Sequence, residues 1–175
     1  MKPEMKETIA AAARAFQLPA YPDIPDVGLY LEQTVKYVNG YLEPLHGMEL
    51  TASMVSNYVK KGIIAKPVRK QYHRDQIACL FFVAVAKISM SMEDIDLLFL
   101  LQQRSYPYDI AYEYFRAELK NVLDFVFGLK DHLDSVGRDH TEEKQLLRNV
   151  IIAVAHKIYL DQYLDAARAE QTETP

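Results

Sequence analysis

Apolar residues recur at intervals of three and four along much of this chain, which is the spacing of one face of an α-helix. The clearest stripes are Leu31, Val35, Val38 and Leu42, and then Leu147, Ile151, Val154 and Ile158. Glycine, which weakens helices, occurs only six times in 175 residues. The pattern predicts an all-α fold, a helical bundle with at most a short two-stranded sheet.

Proline spacing divides the chain near its start. Residues 2–16 are rich in alanine and predict a helix, whereas Pro19, Pro22 and Pro25 restrict the backbone and predict an extended connector over 18–26. We therefore expect an N-terminal arm separate from the rest of the chain, and three segments in all. Their predicted bounds are 1–26, 27–105 and 106–175.

Capping residues and glycines place the remaining helices. Thr51 suits a helix N-terminus and Gly62 suits the left-handed residue that closes a helix. Ser91, three residues before Asp94, resembles a capping box. The predicted helices are 28–42, 52–61, 75–89, 91–103, 108–135 and 142–168.

Positive charge is concentrated in one stretch. Residues 60–74 contain six of the 20 basic residues and no acid, which leaves 14 basic residues against 24 acids, or −10, for the rest of the chain. The six are Lys60, Lys61, Lys66, Arg69, Lys70 and Arg74. Such asymmetry predicts one surface for a polyanion, although the net charge of −4 alone argues against nucleic acid.

The segment before this basic run divides into two faces when it is drawn as a helix. Its apolar residues, Met54, Val55, Tyr58 and Val59, fall on one arc. The opposite arc carries Ser53, Ser56, Asn57 and Lys60. Hydroxyl, amide and ammonium groups are those that read base edges or contact phosphates from the major groove.

The basic run itself is interrupted by Pro67, so it predicts a loop or short two-stranded wing between two helices. There it would flank the polar helix face and contact phosphates. The predicted DNA-binding residues are Ser53, Ser56, Asn57, Lys60, Lys61, Lys66, Arg69, Lys70 and Arg74. The alternative is an ordinary solvated loop that pairs with the acidic remainder.

These stretches resemble a known pattern. MVSNYVKKGII, AKPVRKQYHRDQI and ISMSMEDI are similar to the MerR-type sequence of a helix ending in Tyr-x-x-x-Gly-Leu-Leu, a Pro-Arg wing, a Tyr before an Asp-bearing helix start, and a closing Gly-x-Ser-x-x-x-Ile. The matching residues are Tyr58, Gly62, Ile63, Ile64, Pro67, Arg69, Tyr72, Asp75, Ser91 and Ile95. Over about residues 20–130 the chain more closely resembles the bacterial family called domain of unknown function 1836, itself regarded as MerR-like.

That resemblance implies a winged helix-turn-helix without an established activity. The chain departs from the MerR pattern in a shorter wing that lacks the Gly-Tyr-Arg tip, and in Ser89, which stands where glycine is common. No cysteine follows the expected dimerisation helix, so thiolate metal sensing is not expected.

Other chemistry-bearing residues have structural alternatives. Tyr58 and Tyr72 suit either phosphate contact or a packed core. A turn rich in histidine and carboxylate residues could hold a metal, but lacks a signature such as His-Glu-x-x-His and suits helix capping better. That group comprises His132, Asp134, Asp139, His140, Glu142 and Glu143, with His156 on the next helix. Cys79 sits among apolar residues and predicts a buried side chain rather than a nucleophile.

Aromatic residues cluster after Tyr106-Pro107. Tyr108, Tyr112 and Phe115 would line a pocket for a small-molecule effector, or would belong to the core or an interface. The sequence indicates no catalytic residues, metal or cofactor, and we do not expect an enzyme. One cysteine and no secretory or membrane segment indicate the reducing cytoplasm.

The preferred hypothesis is a homodimeric transcriptional regulator that binds double-stranded DNA through this helix and wing. Its C-terminal helices would pair, so that two units address half-sites of a pseudo-palindrome. The alternative hypothesis is a protein-interaction adaptor, a winged-helix scaffold that has lost DNA binding and docks an acidic partner.

Overall fold

The computed structural model describes residues 3–137 and 140–172, and these form a mostly helical structure with a small two-stranded sheet. The helices are α1 (Pro3–Ala15), α2 (Leu31–Leu42), α3 (Ala52–Lys60), α4 (Arg74–Ala86), α5 (Met92–Gln103), α6 (Tyr108–Val126) and α7 (Glu142–Thr172). The strands are β1 (Leu29–Tyr30) and β2 (Gln71–Tyr72), and a 3₁₀ turn covers Tyr21–Asp23. The predicted predominance of helix is confirmed.

Helix α4 is the centre of the core. Its Ile77, Leu80 and Phe81 are fully buried, but so are Val83 and Ala86 on other sides of the helix. A helix that is apolar all round must be covered all round. Helices α2, α6 and α7 all pack against α4.

The proline connector had suggested that α1 is separate from the bundle, but α1 is part of it. Ile9, Ala13 and Phe16 are buried, and the helix packs against α6 and α7. The Lys120 ammonium of α6 donates to the Ala13 carbonyl at 3.1 Å. Burial of one face of α1 therefore joins the two ends of the chain in one core.

The connector after α1 is firmly held, and the 3₁₀ turn at Tyr21–Asp23 interrupts its predicted extended path. The Tyr112 hydroxyl donates to the Pro19 carbonyl at 2.9 Å, and the backbone N–H of Tyr21 donates to the Glu113 carboxylate at 2.5 Å. Both partners lie on α6. The prolines prevent this segment from forming a regular α-helix, and the hydrogen bonds to α6 fix its backbone conformation.

Both C-terminal helices end elsewhere than the sequence predicts, and α7 continues to Thr172 rather than stopping at residue 168. Helix α6 ends at Val126 rather than near residue 135, because Gly128 adopts a positive φ of 73° and closes it. The N–H groups of Gly128 and Leu129 bond back to Phe125 and Asp124, as in a Schellman motif. The chain then turns early into the segment that leads to α7.

Helix α7 buries the stripe that periodicity had identified. Ile151, Val154 and Ile158 are at most 2 % exposed, and the helix packs chiefly against α6 of the same chain. This stripe, interpreted from sequence as a seed for helix pairing, is therefore occupied within the chain. No helix in the described ranges has the length and apolarity that crossing a bilayer requires.

Candidate nucleic-acid interface

Helix α3 has the ends predicted for it. The Thr51 hydroxyl accepts from the Met54 N–H at 3.1 Å, which caps the first turn. At the other end Gly62 has a φ of +82°, and the N–H of Ile63 reaches the Tyr58 carbonyl at 3.0 Å. A short helix of this kind is thus defined at both termini by local sequence.

The side chains of α3 divide as predicted. Val55 and Tyr58 are 0 % and 4 % exposed and face the core. The polar face of α3, consisting of Ser53, Ser56, Asn57 and Lys60, is exposed at all four positions. Nothing in the helix covers these groups, so they are available to a partner.

A side chain from α2 fixes where α3 begins. The amide of Asn39 donates to the Leu50 carbonyl and accepts from the Leu50 N–H, both at 2.8 Å. This two-way bond ties α2 to the residue just before the α3 cap. Sequence reasoning missed it, although an asparagine in mid-helix is a signal because its amide usually seeks a backbone partner.

The basic run forms a hairpin. Val68 and Gln71 exchange backbone hydrogen bonds of 3.0 and 2.9 Å around two central residues, Arg69 and Lys70. Both have positive φ, 51° and 66°, as a type I′ turn requires. We call Val68–Gln71 the basic hairpin.

The basic hairpin is anchored in the sheet. Antiparallel β1 pairs Leu29 with Tyr72 and Tyr30 with Gln71, so Gln71 lies between β1 and Val68. The expected helix from residue 28 accordingly begins at Leu31, because the two residues before it are extended. Sequence reasoning had not placed this strand.

Four cations of the basic run project into solvent. Lys60, Lys66, Arg69 and Lys70 are exposed, and among residues 3–137 and 140–172 none of their side chains makes a hydrogen bond or ion pair. No carboxylate of the described residues lies within ion-pair distance of these four charges. Lys61 differs, since its ammonium lies 3.9 Å from the Glu93 carboxylate; both are well exposed, so the pair is weak.

Arg74 has an internal role. Its guanidinium donates to the carbonyls of Ile24 at 2.8 Å and Pro22 at 3.2 Å, and it lies 5.6 Å from the centre of the Tyr21 ring. The proline connector thus wraps the start of α4 through this side chain. Geometry favours Arg74 as a clamp rather than as a phosphate contact.

Tyr58 and Tyr72 belong to the core. Each is only 4 % exposed, and burial raises the pKa of both phenols above the usual value. Of the two alternatives that the sequence left open, packing is the one their positions favour.

The turn before α7 is an ion-pair network. The Asp134 carboxylate lies 2.7 Å from the Lys130 ammonium and 3.0 Å from the His132 imidazole, and the Lys130 hydrogen bond lowers the pKa of Asp134. Asp139 lies outside the described residues. Within those described, no group of three histidine, cysteine, aspartate or glutamate residues could hold a metal ion.

The fold and the interface together define a mostly helical protein with a small sheet, a short helix with an exposed polar face and, after residues 61–67, a cationic hairpin. The chain belongs to the family described as domain of unknown function (DUF1836), whose model matches residues 19–115. The matched range runs from the proline connector through α3, the basic hairpin, α4 and α5 into α6. The searches of curated proteins and of solved structures found no match.

Proposed function

We propose that this protein binds double-stranded DNA through a MerR-like winged helix-turn-helix and acts as a transcriptional regulator. The helix pair is α2 and α3, and the basic hairpin is the wing. One observation carries the proposal: the exposed polar face of α3 is followed, after residues 61–67, by a hairpin whose cations have no internal partner among the residues described.

The polar face of α3 supplies base readout in this proposal. Asn57 pairs with adenine through its amide, Lys60 reaches guanine or a phosphate, and the serines contact either base edges or phosphates. The hydrogen bonds at Thr51 and Asn39 hold the helix in a fixed pose. Base contacts need such a pose because they depend on the orientation of donors and acceptors.

Phosphate contacts come from the exposed cations. Lys60, Lys66, Arg69 and Lys70 give four contacts per protomer, and Lys61 adds to them when it leaves Glu93. Four contacts predict a salt slope of about −3.6, equivalent to about a 150-fold loss of affinity per protomer between 50 and 200 mM salt. Arg74, a sequence-predicted contact, is assigned a structural role.

The proposed unit is a homodimer that places two winged helices on half-sites about one DNA turn apart, or a multiple of it. The pairing surface would be on α7, where Leu160 and Leu164 are 52 % and 46 % exposed and lie one helical turn apart. The α7 stripe that the sequence suggested for pairing is buried within the chain, so the proposed dimer uses Leu160 and Leu164 instead. Binding rather than catalysis, in the cytoplasm, is the proposed role.

The test is DNA binding by fluorescence anisotropy at 50, 100 and 200 mM salt. The variant Lys60→Ala with Arg69→Ala should lose most affinity and flatten the salt slope by about 1.8 per protomer. A matched control, Lys6→Ala with Arg104→Ala, removes the same charge from exposed positions on α1 and just after α5, away from the proposed pairing surface. Equal losses in both variants would show non-specific charge attraction, and unfolding of the first would assign its residues to structure.

An adaptor function is the second candidate, and one surface feature favours it. Tyr30 and Val68, which both pair with Gln71, are 55 % and 62 % exposed, and Val27 nearby in the chain is 83 % exposed. Apolar side chains beside a cationic turn suit an acidic protein partner with apolar residues. The absence of DNA binding even at 50 mM salt would favour this candidate.

A further inference from the structure

A pocket opens between the last four helices. Helices α4, α5, α6 and α7 surround a partly open cavity of about 80 Å³, which we call the four-helix pocket. Its wall includes Phe82, Leu98, Leu101, Ala111, Phe115 and Leu147. The aromatic segment that the sequence singled out, Tyr108 to Phe115, forms one side.

The polar atoms around the four-helix pocket are already engaged by the protein. All four tyrosine hydroxyls, one glutamine amide and one carboxylate that border the pocket have protein partners. The pairs are Tyr106 with Thr141, Tyr108 with Gln103, Tyr112 with Pro19, Tyr114 with Lys144, Gln102 with Tyr106, and Glu143 with Ser105. The wall therefore presents mainly aromatic rings and aliphatic groups to a ligand, because these polar groups already bind other protein atoms.

Charge at the pocket is also balanced. Glu143 and Lys144 are adjacent in the first turn of α7, and the Lys144 ammonium lies 5.1 and 5.0 Å from the ring centres of Tyr106 and Tyr114. Cys79 also lines the pocket with its thiol, and burial raises the pKa of this thiol to about 12. The thiol is thus neutral at physiological pH, and no net charge selects for an ionic ligand.

We infer that the four-helix pocket is a binding site for a small uncharged apolar molecule, the monocyclic aromatic or short branched aliphatic class, whose apolar end inserts between α4, α5, α6 and α7. Apolar cavities stay dry and take up apolar ligands, and an enclosed cavity of about 150 Å³ is enough for benzene. At about 80 Å³ the pocket encloses part of such a ring, and its open side accommodates the rest.

The inference goes beyond DNA binding and does not require it. The pocket joins α4 and α5, within the segment matched by the family, to α7, which lies outside it. Ligand binding can therefore be measured on the full chain without DNA, and a failure of the DNA proposal leaves the result interpretable.

Toluene is the probe, titrated into the 175-residue chain while thermal unfolding and methyl NMR shifts are recorded. At a tenfold excess over Kd we expect the unfolding midpoint to rise by about 4 °C. Phenylacetate and phenethylammonium, which add a charge to a similar ring, should bind at least tenfold more weakly. Charged rings that bind as tightly as toluene, or no effect of toluene, would overturn the inference.

Two alanines of α6 provide a matched pair of variants. Ala111→Leu fills the pocket from its wall and should weaken toluene binding at least tenfold, whereas Ala117→Leu, at an exposed position outside the lining, should bind as the wild type does. If Ala111→Leu fails to fold, Cys79→Leu fills the same space from α4. Unchanged toluene binding in a folded pocket-filling variant would refute this location.

Discussion

The turn of the basic hairpin predicts that stability and DNA binding oppose each other at two adjacent positions. Arg69 and Lys70 both have positive φ, which costs a residue with a Cβ roughly 1–2 kcal/mol. Asn-Gly is the preferred pair for a type I′ turn, although the flexibility of glycine in the unfolded chain costs about 0.5–1 kcal/mol of stability. The double variant Arg69→Asn, Lys70→Gly should therefore be more stable by about 2 kcal/mol, or about 6 °C in Tm for a chain of this size.

The same double variant should bind DNA less tightly. It removes two of four exposed cations, so the salt slope should become shallower by about 1.8, and the loss between 50 and 200 mM salt should fall from about 150-fold to about 12-fold. Urea unfolding and anisotropy titration measure the two effects on one preparation.

A second variant separates strain from charge. Arg69→Ala with Lys70→Ala removes the same charge but keeps a Cβ at both positive-φ positions, so it should lose DNA affinity equally without gaining stability. If Asn-Gly fails to stabilise the protein, the strain argument is wrong. If Asn-Gly leaves the salt slope unchanged, the hairpin does not contact phosphates.

Three other substitutions test single contacts. Glu93→Gln releases Lys61 from its 3.9 Å ion pair and should steepen the salt slope of DNA binding by up to about 0.9; a shallower slope would contradict this. Arg74→Met removes two guanidinium bonds to connector carbonyls and should lower the free energy of unfolding by about 2 kcal/mol in urea while changing the DNA salt slope less than Arg69→Ala does; the reverse ranking would restore Arg74 to the interface. Glu118 is buried, and desolvation raises its pKa, so the stability that the protonated carboxyl contributes is present in acid and is lost as pH rises through that pKa. The variant Glu118→Gln should therefore gain stability relative to the wild type as pH increases. Urea unfolding from about pH 4 to 8 measures this, and the opposite trend would refute it.

Local sequence was sufficient for much of the helical framework. The Thr51 cap, the Gly62 terminus and the Ser91 cap were predicted and confirmed, because each depends on atoms within four residues. The two faces of α3 followed from a 100° step per residue, which needs no knowledge of neighbouring helices. What periodicity could not supply was the identity of the surface covering each face.

Local hairpin preference is a poor guide to where this chain turns. Asn39-Gly40 is the pair that favours a tight hairpin, yet it lies inside α2, where the Asn39 amide binds Leu50. The hairpin forms instead at Arg69-Lys70, which has a poor local preference for it. Pairing of Gln71 with β1, some forty residues earlier in the chain, offsets that preference.

The candidate interface was predicted in its composition and only partly in its geometry. Sequence identified the polar face of α3, which is exposed, and the acid-free run, whose four lysines and Arg69 are exposed. It could not separate Arg74 from the other cations, because the carbonyls of Pro22 and Ile24 that bind it come from a distant connector.

The sequence by itself determined that the chain is largely helical, where most helices begin and end, and that positive charge is concentrated in residues 60–74. Tertiary structure alone decided that α1 joins the core, that the α7 stripe is used within the chain, and that four helices leave an apolar pocket. Helix propensity, capping and charge act over a few residues, whereas burial depends on which distant surfaces meet.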